Sequence, residues 1–64
     1  MKRGLIESLE IGDVIEFSVN EPCGAMEYFG TVMYITEHQI TILDDDGVEY
    51  SIDKNRIGNL LIYL

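Results

Sequence analysis

The chain has 64 residues, and its four Lys and Arg against twelve Asp and Glu give a formal net charge of −8. Apolar residues make up 47% of the sequence, and there is a single Cys. These values exclude a two-domain protein, a disordered chain and an internal disulfide, and no apolar run reaches the ~20 residues of a membrane-spanning helix. We therefore expect one small domain over residues 1–64.

The first ten residues precede the clear strand patterns. Leu5, Ile6 and Leu9 recur at the spacing of one helical turn, but the segment is too short for an independent helix. We expect residues 1–10 to form a helical turn, a short strand or a loose N-terminal extension. The start of the chain lacks the long apolar run of a signal peptide, which predicts a cytoplasmic protein.

A strand pattern begins at Val14. Polar side chains separate Ile15, Phe17 and Val19, which is the period of a strand with one buried face. The next segment, residues 20–27, contains Pro and Gly and is predicted to be a loop. A loop of this length in so small a domain is a place to look for function.

Three further strands are predicted before the end of the chain. Residues 28–35 form an apolar stretch in which Gly30 is expected to mark a bulge or a bend. Residues 40–43 and 48–53 carry β-branched and alternating apolar residues, and residues 44–47 (Asp-Asp-Asp-Gly) between them are typical of a hairpin turn.

The last part of the chain predicts a polar 3₁₀ turn within residues 53–59 and a final apolar strand over 60–64. Five strands in so short a chain favour an all-β, partly open five-stranded barrel, since an open sheet would expose two edges. The apolar positions that alternation assigns to its core are Ile15, Phe17, Val32, Ile40, Ile42, Val48, Ile52 and Ile62.

Four short segments carry a resemblance to SH3-like small barrels of the KOW, Tudor and Sm-like type. These are residues 9–15 (Leu-Glu-Ile-Gly-Asp-Val-Ile), 30–35 (Gly-Thr-Val-Met-Tyr-Ile), 40–47 (Ile-Thr-Ile-Leu-Asp-Asp-Asp-Gly) and 53–57 (Asp-Lys-Asn-Arg-Ile). The third resembles the Asp-Gly hairpin of these barrels, and the fourth stands where they place a 3₁₀ turn. The resemblance covers residues 9–64.

Each branch of this resemblance implies a different partner. KOW-type domains bind RNA or ribosomal and transcription proteins, and Sm-like barrels assemble into rings through edge strands. Tudor-type domains hold a methylated Lys or Arg in an aromatic cage. The candidate cage residues here are Tyr28, Phe29, Tyr34 and Tyr50.

The sequence offers no catalytic, cofactor or metal site. The acidic turn at residues 44–47 lacks the ligand spacing of a calcium loop. Cys23 has acidic neighbours rather than the cation that activates a thiol, and His38 falls in a predicted turn. With no nucleophile motif and no glycine-rich phosphate loop, we expect a protein that is not an enzyme.

The favoured hypothesis is an acidic binding module for a protein partner, of the kind that suits a regulatory or inhibitory accessory protein of bacterial or phage type. Its predicted contact residues are Met26, Tyr28, Phe29, Asp44, Asp45, Asp46 and Glu49. The partner would be basic, because acidic groups dominate this set.

The alternative is a nucleic-acid-associated KOW or Sm-like barrel that acts through Lys2, Arg3, Lys54 and Arg56. With so few cations, direct contact with nucleic acid is the weaker hypothesis. A homo-oligomer formed through an edge strand is compatible with either hypothesis.

Overall fold

The computed structural model describes the backbone of residues 2–3 and the whole of residues 6–63. Its strands are β1 (Lys2–Arg3), β2 (Val14–Glu21), β3 (Gly24–Ile35), β4 (Gln39–Leu43), β5 (Glu49–Asp53) and β6 (Ile57–Tyr63). Short 3₁₀ turns occupy Ile6–Ser8 and Lys54–Arg56, and no α-helix occurs in the described residues. The prediction of an all-β fold, with five main strands and a 3₁₀ turn before the last one, is confirmed.

The strands form one antiparallel sheet in the order β1-β6-β2-β3-β4-β5. From β2 to β5 each strand lies beside the next in sequence, because short turns connect them. β6 then returns to the other side of β2. The sheet is open, with β1 and β5 as its edges.

One face of the sheet surrounds a single apolar core. Successive side chains of a strand point to opposite faces, which is why Ile15, Phe17 and Val19 of β2 are buried. The buried apolar residues are Leu9, Ile15, Phe17, Val19, Val32, Ile40, Ile42, Ile52, Leu60 and Ile62. Seven of the eight predicted core residues are buried, and the prediction is wrong only for Val48. Its side chain is 45% exposed because it lies in the turn before β5, where its N–H bonds Asp44.

The first residues of the chain join this sheet. Lys2 and Arg3 pair with the end of β6, and the turn at Ile6–Ser8 leads to Leu9, which enters the core. The spacing of Ile6 and Leu9 therefore reflects a single turn. Leu5 and Leu64, which the sequence placed in the helical turn and in the last strand, lie outside the described residues.

The prediction of a loop at residues 20–27 is wrong. β2 and β3 stay paired as far as Glu21 opposite Gly24, so only Pro22 and Cys23 form the turn. In a turn, proline costs no ladder hydrogen bond, and Gly24 adopts a φ of +131° that suits glycine. We call residues 20–27 the hairpin arm, since its side chains from Pro22 onward are exposed.

The irregularities of the sheet also differ from the prediction. The register of β3 against β4 shifts between Val32 and Tyr34, and not at Gly30. A second shift lies between β2 and β6, where Asn59 adopts a φ of +54°. This bulge lets β6 begin at Ile57, earlier than the predicted start of the last strand.

Candidate functional site

Four of the predicted contact residues lie together in one cleft of about 200 Å³. The cleft opens between the hairpin arm and the turn that joins β4 to β5. We call it the aromatic cleft, and its lining residues are Met26, Glu27, Tyr28, Phe29, Ile42, Asp44 and Tyr50. It therefore combines aromatic rings, a thioether and carboxylates.

A chain of aromatic contacts sets the position of the two tyrosines in the cleft. Phe17, fully buried in the core, stacks on Tyr28 with ring centroids 5.3 Å apart and planes at 19°. Tyr28 in turn meets Tyr50 in an edge-to-face contact at 5.4 Å and 66°. Because Tyr28 rests on the core, the more exposed ring of Tyr50 has a rigid support.

The local fold holds Asp44 beside Tyr50. The Asp44 Oδ1 atom accepts hydrogen bonds from the N–H groups of Asp46 and Val48, each at 2.9 Å. Gly47 closes the turn with a φ of +81° and donates its N–H to the Asp44 carbonyl. This is the chemistry of an Asp-Gly turn, in which the aspartate side chain bonds the backbone that follows it.

The charge of Asp44 acts on the cleft. The nearby carboxylate raises the pKa of Tyr50 above its ordinary value, chiefly through its charge, with smaller contributions from burial and from a hydrogen bond to Asp44. Asp46 adds a weaker effect of the same sign. The electrostatic potential at the rim of the cleft is therefore negative, and this rim lies next to the electron-rich ring of Tyr50.

Phe29 lies at the boundary between the cleft and the outer face of the sheet. Its ring meets Tyr63 edge-to-face at 5.8 Å. The Tyr63 hydroxyl donates a 2.6 Å hydrogen bond to Glu16 Oε1, and this bond raises the pKa of Tyr63. These contacts between three strands support Phe29, whose side chain is 46% exposed.

The other predicted contact residues lie outside the lining. Asp45 and Asp46 are exposed in the β4–β5 turn, and Glu49 is exposed at the start of β5. The structure thus brings Met26, Tyr28, Phe29 and Asp44 together, and leaves Asp45, Asp46 and Glu49 outside the lining of the cleft.

Three lining residues, Glu27, Ile42 and Tyr50, lie outside the predicted contact set, although the sequence places Ile42 in the core and Tyr50 among the candidate cage residues. The side chain of Tyr50 is 37% exposed. The Asp-Gly turn sets the register that pairs Tyr50 with Ile42, one pair from the turn, and this signal places Tyr50 near that end of the sheet. Glu27 was hidden by the wrong prediction of a loop.

Two other depressions of about 300 and 330 Å³ are more polar. In the first, between the hairpin arm and the bulge of β6, Asn59 donates to Ser18 Oγ at 3.0 Å. The second contains His38 and Asp53, and Asp53 accepts a 2.9 Å hydrogen bond from Gln39. Both lack the paired aromatic rings of the aromatic cleft.

The remaining reactive side chains stand apart from the cleft. Cys23 is an exposed free thiol at the tip of the hairpin arm, and His38 follows the opposite end of β3. Arg56 forms a 3.1 Å ion pair with Glu21. Within residues 6–63, no group of three or more His, Cys, Asp or Glu is arranged to hold a metal ion.

Comparisons with known proteins give no match to this chain, whether with family models, with curated proteins or with solved structures. In the part of the chain that the structure describes, no helix is long and apolar enough to cross a membrane.

Proposed function

We propose that the chain is a non-enzymatic binding module that holds a basic side chain of a protein partner in the aromatic cleft. One observation carries this proposal, namely the rings of Tyr28 and Tyr50 standing beside the carboxylate of Asp44. A Lys or Arg side chain satisfies both features at once, since its charge pairs with the carboxylate and its cationic head is attracted to the ring face.

Met26 completes the chemistry of the site. Its thioether side chain is flexible and adapts to the aliphatic stem of Lys or Arg. The fully buried Ile42 also lines the cleft and gives it an apolar floor. The cleft therefore offers apolar contacts for the stem of a basic side chain and a carboxylate for its head.

The charge of the whole chain supports a basic protein as the partner. A net charge of −8 steers cations toward the surface and repels phosphate backbones. Arg56, one of the cations that a nucleic-acid site would need, is paired with Glu21. A module of this kind would regulate or inhibit its partner as an accessory protein of bacterial or phage type.

An SH3-like barrel is the family that we propose. Its support is the strand order, in which the last strand returns to the first long strand after a 3₁₀ turn. We also propose a cytoplasmic location, because the exposed free thiol of Cys23 suits a reducing compartment.

A titration with a small arginine probe tests the proposed function. The probe is the capped tripeptide acetyl-Gly-Arg-Gly-amide, followed by NMR of the tyrosine rings in the folded protein. We expect the resonances of Tyr28 and Tyr50 to shift while that of Tyr34 does not, because the Tyr34 side chain is 58% exposed and outside the cleft. The matched control probe carries citrulline, a neutral isostere of arginine.

Two charge-neutralising variants make the test specific. Asp44→Asn keeps an oxygen that accepts the turn hydrogen bonds but removes the charge beside Tyr50, so it should weaken the response. Asp45→Asn makes the same change of charge on an exposed residue outside the lining, and should leave it nearly unaltered. Equal responses to the arginine and citrulline probes, or equal effects of the two variants, would contradict the proposal.

A further inference from the structure

One edge of the sheet lies directly beside the aromatic cleft. β5 pairs with β4 over its whole length, and no described strand pairs with its other side. Tyr50, which lines the cleft, belongs to β5, and every side chain of this strand except Ile52 is exposed. The cleft and the unpaired edge therefore share one strand.

The hydrogen bonds at both ends of the β4–β5 ladder show which backbone groups face outward. Asp44 donates its N–H to the Val48 carbonyl at 3.0 Å, and Lys54 donates to the His38 carbonyl at 2.8 Å. Antiparallel pairs alternate between bonded and non-bonded, so Tyr50 and Ile52 bond to β4. The outward groups are then the N–H and C=O of Glu49 and Ser51, and the N–H of Asp53.

This edge carries few of the devices that normally block strand addition. Such devices are bulges, proline and lysine within the strand. β5 has an unbroken register with β4, and its sequence, Glu-Tyr-Ser-Ile-Asp, contains neither proline nor lysine. Its only charges are two carboxylates, which repel acidic strands and attract basic ones.

We infer that an extended basic segment of the partner adds to β5 as a further antiparallel strand. This inference rests on the proposed function and names its mode of binding. Residues directly opposite each other in an antiparallel pair place their side chains on the same face. The partner residue opposite Tyr50 therefore directs its side chain into the aromatic cleft, where a Lys or Arg meets Asp44.

The same geometry defines the rest of the partner sequence. The residues opposite Glu49 and Asp53 lie on the outer face beside carboxylates and should be basic. The residue opposite Ile52 lies on the core side and should be apolar. Read in the antiparallel direction, from Asp53 to Glu49, the pattern is basic, apolar, neutral, basic, basic.

A second copy of the chain fits this edge poorly. Two β5 strands paired antiparallel about Ser51 would place Glu49 of one copy opposite Asp53 of the other. Like charges directly opposite destabilise a strand pair. The total charge of −8 on each copy acts in the same direction.

Backbone N-methylation of a designed peptide tests the inference. The probe is acetyl-Gly-Lys-Val-Thr-Arg-Lys-Gly-amide, in which the threonine falls opposite Ser51 and its N–H faces the edge. Methylation of the threonine nitrogen should weaken binding about tenfold or more, because it removes a hydrogen bond and adds a clash. The matched control is methylation of the arginine nitrogen, whose N–H faces away, and it should change binding little.

Amide hydrogen exchange locates the contact on the protein. Binding should slow exchange of the Glu49, Ser51 and Asp53 amides, and Ser51→Pro should weaken binding whereas Ser51→Ala should not. Strand addition would be overturned if the peptide does not bind, if exchange of these amides does not slow, or if the two methylated peptides bind equally well. The arginine tripeptide tests the cleft independently of this edge. If exchange of these amides slows with rising protein concentration in the absence of peptide, the strand that adds to β5 is a second copy of the chain.

Discussion

Asp44 combines two tasks in one side chain. Its Oδ1 atom holds the β4–β5 turn by accepting two backbone N–H groups, and its charge faces Tyr50. A residue that only closed a turn would serve equally well as asparagine, which accepts the same hydrogen bonds. The charge is therefore the part of Asp44 that acts on the cleft.

The titration of Tyr50 measures that charge. Because the carboxylate disfavours the tyrosinate, Asp44→Asn should lower the pKa of Tyr50 toward its ordinary value. Asp45→Asn should change it much less. NMR titration of the ring carbons reports both values, and an unchanged pKa in Asp44→Asn would show that the carboxylate does not act on the cleft.

The raised pKa of Tyr50 also sets the sign of its effect on stability. A group whose pKa is higher in the folded state stabilises that state fully below its unfolded pKa, which is about 10 for tyrosine. The contribution is lost as the pH rises through the higher folded value. At neutral pH the Tyr50 hydroxyl is thus protonated and can donate to Asp44.

Among the strands, Gly30 lies where the backbones of β3 and β4 come very close together. It lies on the inner face of β3, and a Cβ added there would stand 2.6 Å from the carbonyl oxygen of Leu43 and 3.0 Å from its carbon. Both atoms belong to backbone and cannot rotate away. Glycine at this position therefore allows the backbones of β3 and β4 to lie this close together.

Gly30→Ala should therefore lower the free energy of unfolding by about 1–3 kcal/mol, the usual cost of overpacking. Gly58→Ala is the matched control, since a Cβ there would meet its nearest atom at 3.7 Å, an ordinary contact. Urea denaturation of both variants measures the difference. Equal free energies of unfolding for the two variants would show that the close approach of Gly30 to Leu43 does not require glycine.

Alternation predicted the elements well where one face is buried. Ile15, Phe17 and Ile52 all lie in the core as the period of two requires. The hairpin arm escaped prediction because it is exposed on both faces, so alternation carries no signal there, and Pro22 was interpreted as an interruption instead of a turn. The bulge at Asn59 depends on pairing with β2, which is distant in sequence.

The same limit applies to the candidate site. The sequence predicts Met26, Tyr28 and Phe29 as contact residues in or beside an expected loop, and Asp44 as part of an acidic turn. These residues lie in one cleft because of how β3 and β4 pair, and no local sequence pattern encodes that pairing. Tyr50 needed the hairpin register to place it.

The whole molecule is a strongly acidic domain with one sheet edge and one aromatic cleft side by side. In the proposed complex, this charge favours rapid encounter with a basic partner, and the cleft and β5 would supply the specific contacts. Added salt should slow this encounter more than it weakens the docked contacts, because exposed charges are screened within about 10 Å at 0.1 M salt.

Affinity capture from a nuclease-treated lysate tests whether the aromatic cleft binds a basic protein. It compares the wild-type chain with Asp44→Asn and Tyr50→Ala, and uses Asp45→Asn and Tyr34→Ala as matched controls. We expect a basic protein to be retained by the wild type and both controls and to be lost with the two cleft variants. Capture that disappears with nuclease, or that survives in both cleft variants, would contradict this expectation.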